Sequence, residues 1–181
     1  MNGQINQNII LEAQKGDLKA FEEILSEYEK PVFGYIVHLV KRREDAEDLT
    51  QETFLKLYKS IKKYDSDRKF TTWLFAIANN TTRDWFRKQK RRRELLILDD
   101  PEKGKAIEKL LASDDQLSRN NVKFDVALGF RKIKPVYRSV LSLFYLKGFS
   151  YKEIAKIKNM PTNTVKTYLY RAKLAMREHL A

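Results

Sequence analysis

The chain contains no cysteine. Disulfides and thiolate-ligated metal sites are therefore excluded, and a reducing compartment suits it. Imidazole is nearly as scarce. His38 and His179 are the two histidines, far apart and without metal-ligand spacing. Long apolar runs are missing too. The longest nearly apolar stretch, VFGYIVHLV at 32–40, is too short to cross a bilayer. The opening MNGQINQNIILEAQKGD lacks the basic-then-apolar order of a secretion signal. These absences predict a cytoplasmic protein with no stable membrane insertion, no metal and no cofactor. Glycine and proline are few, 6 and 4 in 181 residues, so each one punctuates the chain.

What is present is mostly helical spacing. Apolar residues make up 43% of the chain, enough for packed cores. Strand-type alternation is not sustained anywhere, which predicts an all-α protein. Asp17, after Gly16, suits the cap of a helix with apolar positions at Ala20, Phe21, Ile24, Leu25 and Tyr28. Pro31 suits the first turn of a second helix, and Asp45 the cap of a third running to about Ile61. YDSDRK breaks the pattern at 64–69. TTWLFAIANN opens another helical run, and a further helix is expected near Thr82, with Thr81 and Asp84 at capping-box spacing. Two helical bodies result, residues 1–93 and 123–181, joined by a polar, acidic linker at 94–122.

Charge is distributed unevenly along this plan. The net charge is +12, yet residues 1–82 carry −1 and the linker −3. The excess lies in the strip 83–93, net +6, and in residues 123–181, net +10. A polyanion would be attracted to those two places. A second body so basic, on a flexible linker, is also expected to pack on the acidic part of the first.

The second body carries clear stop and start signals. Pro135 suits a helix start and Gly148 a stop. Ser150 and Glu153 have capping-box spacing, with Ile154, Ala155 and Ile157 as the apolar face of a short helix. Asn159 tolerates a left-handed turn, and Pro161 marks the next start. This is a helix-turn-helix. In its second helix Val165, Leu169, Ala172 and Met176 share one face. The remaining surface offers Asn163, Thr164, Lys166, Thr167, Tyr170 and Arg171 and no carboxylate. Those residue types suit base edges and phosphates in a major groove.

Two further features belong to the first body. In DAEDLTQETFLKLYKSI, the stripe Ala46, Leu49, Thr53, Phe54, Leu57 and Ile61 should be buried. Leu55 then points almost opposite its centre, among Asp48, Gln51, Glu52 and Tyr58. An exposed leucine in a polar ring resembles a small docking face. A metal-dependent nuclease would use Asp45, Glu47, Asp48 and Glu52, but Asp48 and Glu52 share one helical face with no histidine or third carboxylate converging on them. In TTRDWFRKQKRRR, aromatics interleave with Arg83, Arg87 and Lys88, as a single strand of nucleic acid requires. Trp85 and Phe86 could instead be core, and Trp73 is expected to be core. An amide in NNTT, Asn79 or Asn80, could bond an extruded base edge.

These segments together resemble the extracytoplasmic-function sigma factors of bacterial RNA polymerase. The resemblance rests on GDLKAFEEILSEYEKPVFGYI, REDAEDLTQETFLKLYKSI and KFTTWLFAIANNTTRDWFRKQKR, then YRSVLSLFYLKGFSYKEIAKIKNMPTNTVKTYLYRAKLAM. It implies a sigma-2 domain at 1–93 and a sigma-4 domain at 123–181. It also implies docking of the Asp48, Gln51, Glu52, Leu55 and Tyr58 helix on the polymerase β′ clamp helices, with further contact to the β subunit. The loop matching ANNTT, with Asn79, Asn80 and Thr81, would capture a flipped base of the minus-ten element, Asn80 taking the motif's asparagine position. Arg83, Arg87 and Lys88 would hold the adjacent DNA. The helix from Asn163 to Arg171 would read the minus-thirty-five element. An anti-sigma factor is implied as a further partner, and nucleotidyl transfer is left to the polymerase. Relatives often carry glycine at the positions of Asn159 and Asn163, and arginine at that of Tyr168. The rival expectation is a helix-turn-helix regulator that works without polymerase. It leaves the Leu55 face and the NNTT strip unused.

Overall fold

The computed structural model describes residues 5–40, 42–99 and 133–180; most of the expected linker and the start of the second body, to residue 132, lie outside them. Among the described residues every regular element is helical. The first body comprises α1 (Gln7–Lys15), α2 (Leu18–Ile36), α3 (Arg43–Ser60) and α4 (Phe70–Asp99). The second comprises α5 (Pro135–Leu141), which continues as a wider π-helical turn over Ser142–Leu146, then α6 (Tyr151–Lys158) and α7 (Thr162–Leu180).

The helix ends follow local chemistry. Gly16 closes α1 in the left-handed region at φ 103°. The Asp17 carboxylate then accepts from the amides of Lys19 and Ala20 at 2.8 and 3.2 Å, capping α2 as expected. Pro31 does not start a helix; it sits inside α2. An interior proline costs about 3 kcal/mol. Here Tyr28, Val32, Tyr35 and Ile36 are buried on both sides of it, so packing holds the helix together. α3 begins two residues before Asp45, which lies in its first turn beside Glu44, where carboxylates favour the helix dipole.

The largest departure concerns NNTT. No break occurs there, and α4 runs through it without interruption. Neither glycine nor proline interrupts the segment, and its polar side chains bond inward instead of capping. The Thr82 hydroxyl donates to the Ala78 carbonyl at 2.9 Å, and the Thr81 hydroxyl accepts from Lys56 Nζ at 3.2 Å. The helix also continues past Arg93, through residues placed in the linker, to Asp99.

The helix-turn-helix forms as its punctuation requires. Pro135 opens α5, and Gly148, at φ 69°, ends that helical stretch. The Ser150 hydroxyl accepts from the Glu153 amide, and Glu153 Oε2 accepts from the Ser150 amide at 2.8 Å. Asn159 adopts φ 50°, ψ 57°, and turns the chain into α7. Ser150→Ala should cost about 1 kcal/mol, read as a lower melting temperature by circular dichroism; an unchanged melting curve would show that this cap contributes nothing.

The two bodies touch. Phe75 of α4 meets Phe149 edge to face at 5.0 Å, and α6 lies along α4. The seat is not the acidic surface that charge alone suggests. Among the described residues the cross-body ion pair runs the other way, from Lys69 of the first body to Glu153 of the second at 2.7 Å.

Candidate functional site

Three surfaces carry the candidate residues. The first lies on α3. Ala46, Leu49, Thr53, Phe54, Leu57 and Ile61 are buried, so the helix phase read from sequence holds. Leu55 is 60% exposed and Tyr58 47%. Asp48 and Gln51 are exposed beside them, and Glu52 is tied to Lys56 at 2.8 Å. Leu55, Tyr58 and Gln51 border an open groove of about 780 Å³ between α2 and α3. Its floor comes from Phe21, Leu25, Phe33 and Phe54. Phe21 and Leu25, apolar positions of the α2 periodicity, are half-buried and form part of this floor. Arg43 lies over the Phe33 ring at 5.3 Å and pairs with Glu47 at 2.8 Å. The surface is apolar in its centre and charged at its rim, the anatomy of a docking site.

The second surface is α4. Asn80, Arg83, Arg87 and Lys88 are exposed, and the 80, 83, 87 spacing places three of them on one helix face. Arg87 pairs with Asp84 at 3.3 Å. Trp85 and Phe86 are half-buried and pack on each other at 4.9 Å, while Trp73 packs on Tyr64 at 5.0 Å. Asn79 and Thr81, by contrast, are buried. Asn79 is only 4% exposed, and its amide reaches the second body. The structure therefore separates the two neighbouring asparagines: Asn80 is available to solvent and Asn79 is not. Sequence reasoning missed a small cavity of about 210 Å³ at the start of α4, bordered by Tyr28, Ser66, Arg68, Lys69 and Thr71. The buried Thr71 hydroxyl has no hydrogen-bond partner there.

The third surface is α7. Val165, Leu169 and Ala172 are buried against α5 and α6. Asn163, Lys166, Thr167 and Arg171 are exposed, Tyr170 is 64% exposed, and Thr164 is half-buried. The Thr167 hydroxyl donates to the Asn163 carbonyl at 3.0 Å, which leaves its oxygen free to accept. Lys152 and Lys156 of α6 border the turn that precedes this helix, adding positive charge at its start. No group of three metal-ligating side chains occurs among the described residues, so Asp45, Glu47, Asp48 and Glu52 do not converge as a cation site. No described helix is long and apolar enough to cross a membrane.

A helical body with an apolar groove and a basic helix, followed by a helix-turn-helix, defines a two-part nucleic-acid-binding protein. Sigma-70 region 2 matches residues 24–92, and Sigma-70 region 4 matches residues 130–176. The chain is 32% identical over 176 residues to the ECF RNA polymerase sigma factor SigW of Bacillus subtilis, covering 94% of each chain. It is 30% identical over 173 residues to the ECF RNA polymerase sigma-E factor of Haemophilus influenzae, covering 93% of this chain and 91% of that one. The fold is also that of the sigma factor RpoE solved with the anti-sigma factor NepR from Bartonella quintana, with a TM-score of 0.70, 21% identity and coverage of 90% and 98%. The chain belongs to the ECF RNA polymerase sigma factors.

Proposed function

We propose that this protein is a promoter-specificity subunit that binds bacterial core RNA polymerase and directs transcription initiation, the polymerase supplying the chemistry. The observation that carries this reading is the α3 groove, because a DNA-binding regulator working alone has no use for it. Leu55 sits exposed at its edge, on a different face from the basic residues of α4 and on a different body from α7. In this reading α3 docks on the polymerase β′ clamp helices, and the second body contacts the β subunit. Asn80, Arg83, Arg87 and Lys88 hold the opened minus-ten strand. Asn163, Thr164, Lys166, Thr167, Tyr170 and Arg171 read the minus-thirty-five duplex. An anti-sigma factor acts as the negative regulator, in the cytoplasm.

An extruded base has two candidate receptors. One is the exposed edge of Asn80. The other is the cavity at the start of α4, where the unpartnered Thr71 hydroxyl offers a hydrogen bond.

The upstream duplex gives a salt test. Lys166 and Arg171 have the exposure and charge for phosphate contacts. Lys166→Ala should weaken duplex binding evenly across sequences and reduce the log–log salt slope by about one. Asn163→Ala should instead alter sequence preference at similar slope. A Lys166→Ala slope equal to wild type would remove that residue from the phosphate contacts.

A further inference from the structure

α1 is bonded to the segment that joins α3 to α4, 47 to 59 positions further along the chain. The Gln14 side-chain amide donates to the carbonyls of Ile61 at 3.1 Å and Tyr64 at 2.8 Å. These two residues begin and follow the short 3-10 turn Ile61–Lys63. Main-chain acceptors at a helix end are short of donors, and a glutamine amide carries two N–H groups. Gln7 Nε2 donates to the Ser66 carbonyl at 3.4 Å. The segment so held is tied within itself as well. The Tyr64 hydroxyl donates to the Arg68 carbonyl, and the Asp65 carboxylate accepts from the Asp67 amide at 3.1 Å and from Arg68 Nε at 3.0 Å.

These bonds shape the cavity at the start of α4. Ile5, Gln7 and Ile10 close one side of its volume of about 210 Å³, and Tyr64 and Phe70 give it aromatic walls. Tyr64 meets Phe70 edge to face at 5.3 Å, and Tyr28 lies 5.6 Å from Phe70, so each ring is fixed by the next. Thr71 is 7% exposed, and its hydroxyl has no hydrogen-bond partner. Leaving a buried hydroxyl unbonded is costly, and a ligand with a polar edge recovers that cost. The cations at the rim are already paired, Arg68 with Asp65 and Lys69 with Glu153, so the cavity favours a neutral ring over an anion. Size narrows the ligand further. A cavity of about 150 Å³ accepts benzene. The larger volume here suits one six-membered ring with exocyclic oxygen or nitrogen, and it is tight for the fused rings of a purine.

We infer that this cavity receives one unstacked pyrimidine base, and that α1, which precedes the stretch matching Sigma-70 region 2, completes the receptor with Gln14 as its positioning residue. This rests on the strand-holding role of α4 proposed above, and it takes the cavity, not the Asn80 edge, as the receptor. Gln14 itself does not border the cavity. It acts by holding Tyr64, whose ring is one wall and whose hydroxyl fixes the Arg68 carbonyl. A gap of about 0.5–1 Å at such a wall forfeits a quarter to a half of its contact energy. Sequence that lies before residue 24 thereby governs the choice of base.

The test uses the full chain and short labelled single strands built of abasic residues, in which one central position carries cytosine, thymine, adenine, guanine or no base. All strands share the same phosphates, so the ratio of affinities with and without a base reports the receptor alone. The parent should bind the cytosine or thymine strand about tenfold more tightly than the fully abasic one, and the purine strands about threefold at most. Thr71→Val keeps the shape, removes the hydroxyl and should bring the ratio down to about twofold. Gln14→Leu removes both donors and should bring it close to one. Gln14→Lys keeps donors for both carbonyls and should restore it. Gln7→Leu, at an exposed position, should lower the ratio as well and carries the test if Gln14→Leu unfolds. A merely structural Gln14 would lower the melting temperature of Gln14→Leu and leave the ratio, read well below that temperature, at the parent value. That result would overturn the inference. So would a parent indifferent to the base, purines bound as well as pyrimidines, Thr71→Val with the parent's ratio, Gln14→Lys no better than Gln14→Leu, or a ratio abolished by Asn80→Ala alone. A parent that shows the preference yet transcribes no pre-melted template with core polymerase would instead sink the promoter-specificity reading and leave the receptor standing.

Discussion

Leu55→Arg is expected to leave the protein folded and to weaken binding to core RNA polymerase by about 30-fold or more, the effect of removing a central interface anchor. Leu55 is 60% exposed, so the substitution removes little buried area and creates no cavity. It does place a hydrated cation at the mouth of a groove floored by Phe21, Leu25, Phe33 and Phe54. Desolvating that cation on docking is costly. Leu57→Arg, two residues away and fully buried, supplies the contrast. It should unfold the first body. Equal losses of melting temperature in the two variants would mean that Leu55 contributes to the core; a folded Leu55→Arg that binds polymerase normally would remove the groove from docking.

Promoter opening should show the second large effect. Binding alone does not melt DNA; it must favour the open form over the closed one. Replacing both Arg83 and Arg87 by alanine removes two exposed phosphate contacts from one face of α4. Asn80→Ala or Thr71→Val removes a hydrogen-bonding group offered to the extruded base, worth about 1–3 kcal/mol, or roughly 5- to 150-fold in the opening equilibrium. Permanganate reactivity of unpaired thymines should fall accordingly, while polymerase binding and upstream-duplex binding stay near wild type. A template melted in advance should restore much of the transcription. Asn79→Ala is expected to act differently, loosening the contact with Lys158 and sparing opening. Loss of opening in Asn79→Ala alone would shift the base contact to Asn79 in the open chain.

Much of this architecture is local and hence readable from sequence. Gly148, the Ser150–Glu153 box and Asn159 fix the helix-turn-helix through backbone chemistry that acts within a few residues. Leu55 was legible because helix phase alone sets which residues oppose a buried stripe. What escaped depends on tertiary context. Pro31 and NNTT look like boundaries until packing on both sides, and inward bonds from Thr81 and Thr82, carry the helices through them. Phe21 and Leu25 have core periodicity, which cannot tell a groove wall from a filled core. The contact of Asn79 with Lys158 spans 79 positions and leaves no local trace in either segment.

The most direct measurement is run-off transcription by bacterial core polymerase on fragmented DNA from the genome that encodes this chain, with 5′ ends mapped by sequencing. With the chain present, transcripts should begin at a small set of sites that share two spaced elements. Core polymerase alone, or with Leu55→Arg, should not produce them. A chain that binds duplex DNA tightly through α7 but neither binds core polymerase nor changes its start sites would contradict the account.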